Sequence, residues 1–547
     1  MVRSQTLNLA KLSTGSLASL LIALVLFALS ASLWGFATGI DDAHISFYAA
    51  HALATTGEML NYNGERVEQS SSLLHVLLTA LFARISNTNV VTVGYVIPML
   101  AGWLCLPLLW VIARREQLAA ATLLCAALPL VYWAHAGLET ALFACLLLLY
   151  VYYLSLHATR WLALVLCGFA LQLARPELPL FVPVLTLSFW VACRFLALPC
   201  RAIGLRALLS ILTALCIVSW RWYYFGEWFP QPVTAKSAGI TLTAFKAGLL
   251  YLGAIFTNPI GALFTTASMI ALLHLLRRSA RGKENTLLVA STLACTGYTA
   301  LVALTGGDWM PQQRFLAPLV PLQALLLMRS LSLIFPARMA FLAVMLLASS
   351  QILHSYLQAQ FHQQAKANLP ITSPSYSVFE THSPSVQANL PTLAALIPLV
   401  ASVHKQKHAP VQLLSGQMGV LPYHLSLLFP NQLHFTDRNA LVEPSLTNCS
   451  LTRERPRVPQ GLDGLATIFF IKKARELQED CGIAPPDIVY DLWWHNKVAD
   501  ARTLLEKHGY TVVHVHEGTT LLQDQLILVR KEWLQQTDEQ PSAIAPP

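Results

Sequence analysis

Long apolar runs separated by short polar connections fill the first two thirds of the chain. They are Leu17–Trp34, Val90–Ile112, Leu118–Ala134, Thr140–Leu156, Trp161–Leu173, Leu178–Cys193, Leu208–Trp220, Ile260–Leu276, Leu287–Leu304, Phe315–Met328 and Met339–Leu353. A helix needs about 20 residues to cross a bilayer, so the shorter runs must extend into their flanks, and the pattern predicts about eleven transmembrane helices. The stretch Ser72–Arg84, SLLHVLLTALFAR, is too short to cross and reads as a helix lying at the interface or dipping into it. Beyond Leu353 the pattern changes. Residues Ala365 to Pro391 are rich in Pro, Ser and Asn and read as a linker. Short β-type runs follow at 411–414, 468–471, 487–490, 511–515 and 526–529, with a helical stretch, 501–510, between two of them. The expected fold is a polytopic α-helical membrane protein with a C-terminal extracytoplasmic α/β domain. Its parts are a membrane domain at 1–355, a linker at 356–396, the α/β domain at 397–534 and a disordered tail at 535–547.

Composition agrees: 55% of the 547 residues are hydrophobic and only 12% are charged, against about a quarter charged in soluble domains. The net charge of +8 would suit nucleic acid, but the basic residues sit in clusters between apolar runs. No basic-aromatic stripe accompanies them, and that partner is set aside. Arg3 and Lys11 precede the first run and put the N-terminus in the cytoplasm. Arg114 and Arg115, Arg160, then Arg194, Arg201 and Arg206, then Arg277, Arg278, Arg281 and Lys283, and finally Arg338 all fall on that same side. One alternation explains every cluster. It leaves outside the loop 39–72, HAGLET, ARPE, RWYYFGEWFPQPVTAKS, GGDWMPQQR and everything after Leu353. Eight of the ten cysteines lie in or beside apolar runs, without metal-site spacing, and read as small buried hydrophobes. Cys449 and Cys481 lie in the polar part, where a disulfide is expected if that part is extracytoplasmic.

The acidic and aromatic motifs thus share one face. Asp41 and Asp42 open the first loop. Either can cap the helix that ISFYAAHALATTG predicts, and either can take a proton from a hydroxyl or stabilise an oxocarbenium-like centre. Glu65, Arg66 and Glu68 follow an Asn63-Gly64 turn, as a local ion pair or as a polar wall for a substrate. Glu139 starts a span, where the helix dipole favours it. Arg175 and Glu177 flank Pro176 at the membrane edge, where charges are costly unless paired or wet. Arg221, Tyr224 and Lys236 belong to a segment rich in aromatics, either an interfacial belt or a platform with cations for a sugar on a lipid phosphate. In GGDWMPQQR, the glycines let backbone approach a ligand, Asp308 adds a carboxylate, and Arg314 can hold a phosphate through its planar fork. The seventeen histidines are scattered, and none pairs with another and a carboxylate at metal-site spacing. His44 and His51 read as surface or packing residues.

DDAHISFYAAHAL…LNYNGERVEQSSS resembles the first external loop of the GT-C superfamily of membrane glycosyltransferases, and more narrowly that of the mycobacterial terminal arabinofuranosyltransferase family. GLETALF, ARPE, YYFGEWFPQPVTAKS and GGDWMPQQRFLAPLVPL follow in the same order as that family's patterns. The chain departs from the family at Phe47-Tyr48, where an Arg-Tyr pair is common, and at Gln69, where a glycine is common. The resemblance implies transfer of a sugar, D-arabinofuranose in the narrower family, from a polyprenyl-phosphate donor to an acceptor on the external face. The acceptor would be an envelope glycan, a lipid or a protein. By the same resemblance Asp41 is the base with Asp42 in support, and Arg314, with Lys236 or Arg221, holds the donor phosphate. No cofactor is expected, with a divalent metal left open. The alternatives are a GT-C transferase of mannose, glucose or aminoarabinose, and a lipid or sugar transporter. A transporter would place ionisable residues within its spans, whereas these gather at one face. The expected location is the inner membrane, multi-pass.

Overall fold

The computed structural model describes residues 14–33, 38–113, 121–122, 129–156, 160–196, 203–236, 241–253, 286–308, 310, 312–363, 380, 383–449, 451, 463–494, 498–516 and 524–534. Among them, five helices are long and apolar enough to cross a membrane: Val90–Ala113, Leu178–Phe195, Gly204–Phe225, Thr286–Thr305 and Val386–Lys407. Shorter apolar helices, including Thr140–Ser155 and Trp161–Ala174, pack between them. The protein is a polytopic helical membrane protein. The expected span Ile260–Leu276 and much of Leu118–Ala134 lie outside the described residues.

The first helix, Thr14–Leu33, shows why a membrane is needed. Ala23, Phe27 and Ala31, four residues apart, are fully buried, while Leu17, Leu21, Val25 and Leu29 on the opposite stripe are exposed. A helix apolar on both faces has no stable place in water. The helix Leu73–Ser86 starts where Ser72 Oγ accepts a hydrogen bond from the His75 N–H (3.3 Å) and stops at Asn87 in the left-handed region. At about 1.5 Å per residue it is too short to cross, yet Leu81, Phe82 and Ile85 are exposed on it, as suits an interfacial helix.

The polar C-terminal part holds a five-stranded sheet: β1 (Val411–Ser415), β2 (Leu433–Asp437), β3 (Ile488–Trp494), β4 (Tyr510–His516) and β5 (Asp524–Arg530). The order is β2-β1-β3-β5-β4, with β1 parallel to β2 and β3, and β5 antiparallel to both neighbours. Two expectations need correction. The run Ile468–Ile471 lies in a helix, Asp463–Lys472, because four apolar residues in a row fit a buried helix face as well as a strand. Strand β2 carries the second parallel pairing and has only Leu433 and Phe435 as apolar inward residues. The stretch read as a linker is partly helical too: Ala337–Gln363 runs past Leu353, and a second helix begins at Pro384. That second helix, Pro384–Lys407, is apolar enough for a span, yet it packs on β1 and on the helix Val420–Leu428. Its Lys407 Nζ lies 2.6 Å from Asp487 Oδ2 beside β3, so it belongs to the α/β domain. Cys449 and Cys481 form the expected disulfide, with Cα atoms 5.5 Å apart.

The α/β domain sits directly on the loop 39–72. Phe47, Tyr62 and Leu73 share one buried core with Leu396, Leu413, Leu421, Phe435 and Ile488. Polar contacts fix the register. Asn63 Nδ2 donates to the Phe435 carbonyl (2.9 Å) and its Oδ1 accepts from the Phe435 N–H (2.8 Å). Asn61 Nδ2 donates to the Val442 carbonyl (3.0 Å), and Gln231 Nε2 to that of Ala440 (2.8 Å). Asp41 accepts from the N–H groups of Gly419 (3.1 Å, Oδ2) and Val420 (2.8 Å, Oδ1).

The turn after β2 carries two buried acids. Asp437 accepts from the N–H groups of Asn439 (2.8 Å) and Val442 (3.0 Å), and Glu443 from those of Ser445 (3.0 Å) and Asp437 (3.3 Å). Burial outweighs these bonds and pushes Asp437 up to about 6 and Glu443 up to about 7. Both groups therefore hold protons more tightly folded than unfolded. Their contribution to stability is complete below the ordinary carboxylate range and is lost as pH rises through 6 and 7. His434 and buried His44, whose imidazoles desolvation holds below their ordinary range, act in the opposite sense. The clean readout is therefore a difference: on going from pH 5 to pH 8 the wild type should lose more melting temperature, or gain less, than the Asp437→Asn, Glu443→Gln variant. A profile that ignores both substitutions would contradict this account.

A Cβ at position 419 would overlap the backbone carbonyl and the carboxylate of Asp41. Gly419→Ala is therefore expected to lower stability by about 1–3 kcal/mol, the usual cost of forcing bulk into a packed site, and to speed protease release of the α/β domain. An unchanged melting temperature and protease pattern would show that the two parts do not meet there.

Candidate active site

Two polar strata lie on the face where the loop meets the ends of the spans. The first is the loop itself. Thr38 ties its start to the HAGLET segment, through its N–H to the His135 carbonyl (3.1 Å) and its Oγ1 to the Tyr132 carbonyl (2.9 Å). Asp41 and Asp42 follow immediately. The carboxylate of Asp41 is engaged by the helix Val420–Leu428, so the residue expected to be the base is a cap for a helix in another domain. Asp42 occupies the N-cap position of the helix Ala43–Thr56 but makes no side-chain capping bond, and it is partly exposed. Among the described residues no side-chain hydrogen bond or ion pair engages Asp42, which makes it the free carboxylate of the pair.

Further along, Asn61 Oδ1 accepts from the N–H groups of Asn63 (3.0 Å) and Glu65 (2.9 Å), shaping the turn that Gly64 completes at φ +79°. Glu65 and Arg66 are exposed; Glu65 accepts from Asn61 Nδ2 (2.8 Å) and Arg66 pairs with Glu58 (2.6 Å). Pairs of that kind contribute little, so this part of the expected polar wall is a solvated turn. Tyr224 lies under Arg66, 5.4 Å from its ring, and its hydroxyl accepts from the Met59 N–H (3.0 Å). Glu68 is different. It is buried against Arg221, whose Nε donates to Oε2 (2.9 Å) and Oε1 (3.2 Å) and whose Nη2 donates to Oε1 (3.2 Å). Arg221, expected to hold phosphate, is therefore committed to the loop and only 1% exposed. Its bidentate fork matches a carboxylate as well as a phosphate. Lys236 ends the short helix Gln231–Lys236 and is exposed, with no ion pair among the described residues.

The second stratum assembles HAGLET, ARPE and GGDWMPQQR. Glu139 lies 3.0 Å from Arg314 Nη2 and 3.3 Å from Arg175 Nη1. Arg175 Nε lies 2.8 Å from Glu177 Oε1, which also accepts from the Tyr298 hydroxyl (2.6 Å). Asp308 Oδ2 is 4.0 Å from Arg314 Nη1. Arg175 stacks 4.4 Å over Phe315, and Trp133 Nε1 donates to the Gln312 carbonyl (3.0 Å). Glu139 and Glu177 hold the N-cap positions of Thr140–Ser155 and Leu178–Phe195. Two helix N-termini therefore point their partial positive charge into the cluster. The guanidinium of Arg314 is buried, and its Nε has no hydrogen-bond partner among the described residues. It retains donor capacity that an anionic ligand could use.

One grouping had no counterpart in the sequence pattern. His44 Nε2 lies 3.1 Å and His424 Nε2 3.0 Å from the same oxygen of Glu380, and all three residues are buried. They come from the loop helix, the segment before the α/β domain and the helix Val420–Leu428. No spacing rule links positions so far apart, and His44, which reads from the sequence as a surface or packing residue, is fully buried.

No family model and no curated protein matches this chain. Solved structures do. ArnT from Cupriavidus metallidurans bound to undecaprenyl phosphate superposes with a TM-score of 0.50 at 11% identity, over 94% of this chain and 97% of that one. The apo state of the same protein gives 0.49 at 13%, over 94% and 98%. At such identity the likeness speaks for the fold alone: the chain is a multi-pass membrane protein with the fold of ArnT.

Proposed function

We propose that the protein is a GT-C glycosyltransferase that moves a sugar from a polyprenyl-phosphate donor to an acceptor hydroxyl at the extracytoplasmic face of the inner membrane. The observation that carries this reading is a buried arginine cluster around Glu139 at the ends of the spans, with the loop that bears the Asp42 carboxylate tied through Thr38 to the segment leading into it. The shared fold with a protein crystallised with undecaprenyl phosphate supports the donor class. The order of motifs in the sequence supports D-arabinofuranose as the sugar, and an envelope glycan, lipid or protein as acceptor.

In this reading the acceptor oxygen attacks the anomeric carbon, the bond from that carbon to the phosphate oxygen breaks, and the polyprenyl phosphate leaves with the electron pair. Asp42 takes the hydroxyl proton as general base. The departing phosphate gains charge as the bond breaks, and Arg314, with the helix N-termini beside it, stabilises that charge where it develops. Arg175 orients Glu139 and Glu177 and keeps two like charges apart. Arg221 and Glu68 act at one remove, by holding the loop on the ends of the spans. Asp41 acts in the same way, by holding the loop under the α/β domain. Lys236 is the exposed cation nearest in sequence to the aromatic belt of Trp222, Tyr223, Trp228 and Phe229, where a lipid phosphate would enter.

Purified protein given undecaprenyl-phosphate sugars and an envelope extract should release undecaprenyl phosphate, with the arabinofuranosyl donor turned over fastest. Asp42→Asn should lower kcat by about 10²–10⁴-fold, the range of general-base contributions, while leaving the melting temperature unchanged. Asp41→Asn should lower the melting temperature as well. Full activity of Asp42→Asn would remove the base assignment, and faster turnover of another polyprenyl-phosphate sugar would replace the donor.

A further inference from the structure

His44, Glu380 and His424 converge between the loop 39–72 and the α/β domain, outside the arginine cluster. Both imidazole Nε2 atoms approach one oxygen of Glu380, at 3.1 and 3.0 Å, and the three ligand atoms lie within 4.8 Å of one another. Two imidazoles and a carboxylate form a donor set that zinc and its divalent neighbours take. A tetrahedral ion with bonds of about 2.0–2.1 Å keeps its ligands roughly 3.3 Å apart, so the two edges through Glu380 need to open by only a few tenths of an ångström.

Each donor is held from behind. His44 is wedged edge-on between Phe47 and Tyr423, with ring centroids 5.2 and 5.4 Å away. Tyr423 also packs edge-on against His424 (5.1 Å). The Glu380 carbonyl accepts from the Ser383 N–H (3.1 Å). Ser383 is fully buried and packs so closely on Gly39 that a Cβ there would overlap its hydroxyl. The helix bearing His424 is the one that Asp41 caps, three residues before His44 in the chain. The position of all three side chains is therefore set by the contact between loop and domain. Packing of this kind behind the donors is what a metal site requires to favour one geometry.

We propose that His44, Glu380 and His424 bind one divalent transition-metal ion, zinc by the chemistry of the donors, with water as the fourth ligand. The ion would join the loop to the α/β domain, so that metal binding and docking reinforce each other. This holds whichever sugar, if any, the protein transfers.

The test uses the full-length protein in detergent, stripped with a chelator and titrated with Co²⁺ alone. One equivalent should bind with the visible d–d bands of a tetrahedral site, Zn²⁺ should displace it, and Zn²⁺ alone should raise the melting temperature. His44→Gln and His424→Gln should each weaken binding by more than about 100-fold, beyond the loss expected from an outer-shell partner. Glu380→Gln keeps the shape and the hydrogen-bonding capacity of the site, and it decides the matter if either histidine variant fails to fold. Loss of the cobalt bands in folded Glu380→Gln supports the site. The absence of cobalt bands in the stripped wild type, or bands unchanged in Glu380→Gln, overturns it.

Discussion

The contact on which the rest depends is the pair of hydrogen bonds from Gly419 and Val420 to the Asp41 carboxylate. Every helix begins with N–H groups that have no partner within it, and the usual remedy is a Ser, Thr, Asp or Asn in the preceding position. Here that position is Gly419, which has no side chain to offer. The capping carboxylate comes instead from the loop 39–72, across the boundary between membrane domain and α/β domain. The glycine is needed for the same reason: anything larger would keep Asp41 away. A local requirement of one short helix has thereby become a constraint on how two domains sit. It also separates the two adjacent aspartates into one with a structural duty and one without.

The buried charges around the loop follow a related logic. Glu68 with Arg221, and Glu139 with Arg175 and Arg314, are nearly removed from solvent, where an unpaired charge would be very costly. Such pairs do not guarantee stability, because desolvation offsets much of their attraction. What they do is fix geometry. Arg221 sits in a long apolar helix and Glu68 in the loop, so their three hydrogen bonds hold that loop against the bundle. In the other cluster three carboxylates face two guanidiniums, and the helix N-termini behind Glu139 and Glu177 make up part of the difference.

Much of the architecture was legible along the chain because hydropathy has a length scale. Runs such as Val90–Ile112 and Leu178–Cys193 coincide with helices to within a residue or two, since only a lipid environment tolerates them. The shared face of HAGLET, ARPE and GGDWMPQQR was legible from charge alternation, and the contacts of Glu139, Arg175 and Arg314 agree with it. Partner choice was not legible. Nothing near Arg221 indicates that its carboxylate is Glu68, and nothing near Asp41 points to residue 419. Both are tertiary facts that composition and periodicity do not encode. The run 468–471 is ambiguous for a smaller reason: IFFI is too short to show a period, and it lies in a helix. Strand β2 leaves little trace in the sequence because exposed His434 leaves only two inward apolar residues to carry the alternation.

Asn63 has a consequence of a different kind. Strand β2 is the border of its sheet, joined to β1 on one side, with Gln432 and Arg438 bonding that neighbour at its ends. By the alternation of a parallel ladder, the backbone groups of Phe435 point the other way, to the margin where no further strand pairs among the described residues. The side-chain amide of Asn63 meets both of them, as the backbone of one more residue would. A bare margin invites another chain to add itself. A single amide on a turn therefore closes the sheet at its centre, and the same turn that docks the domain keeps it from recruiting a neighbour.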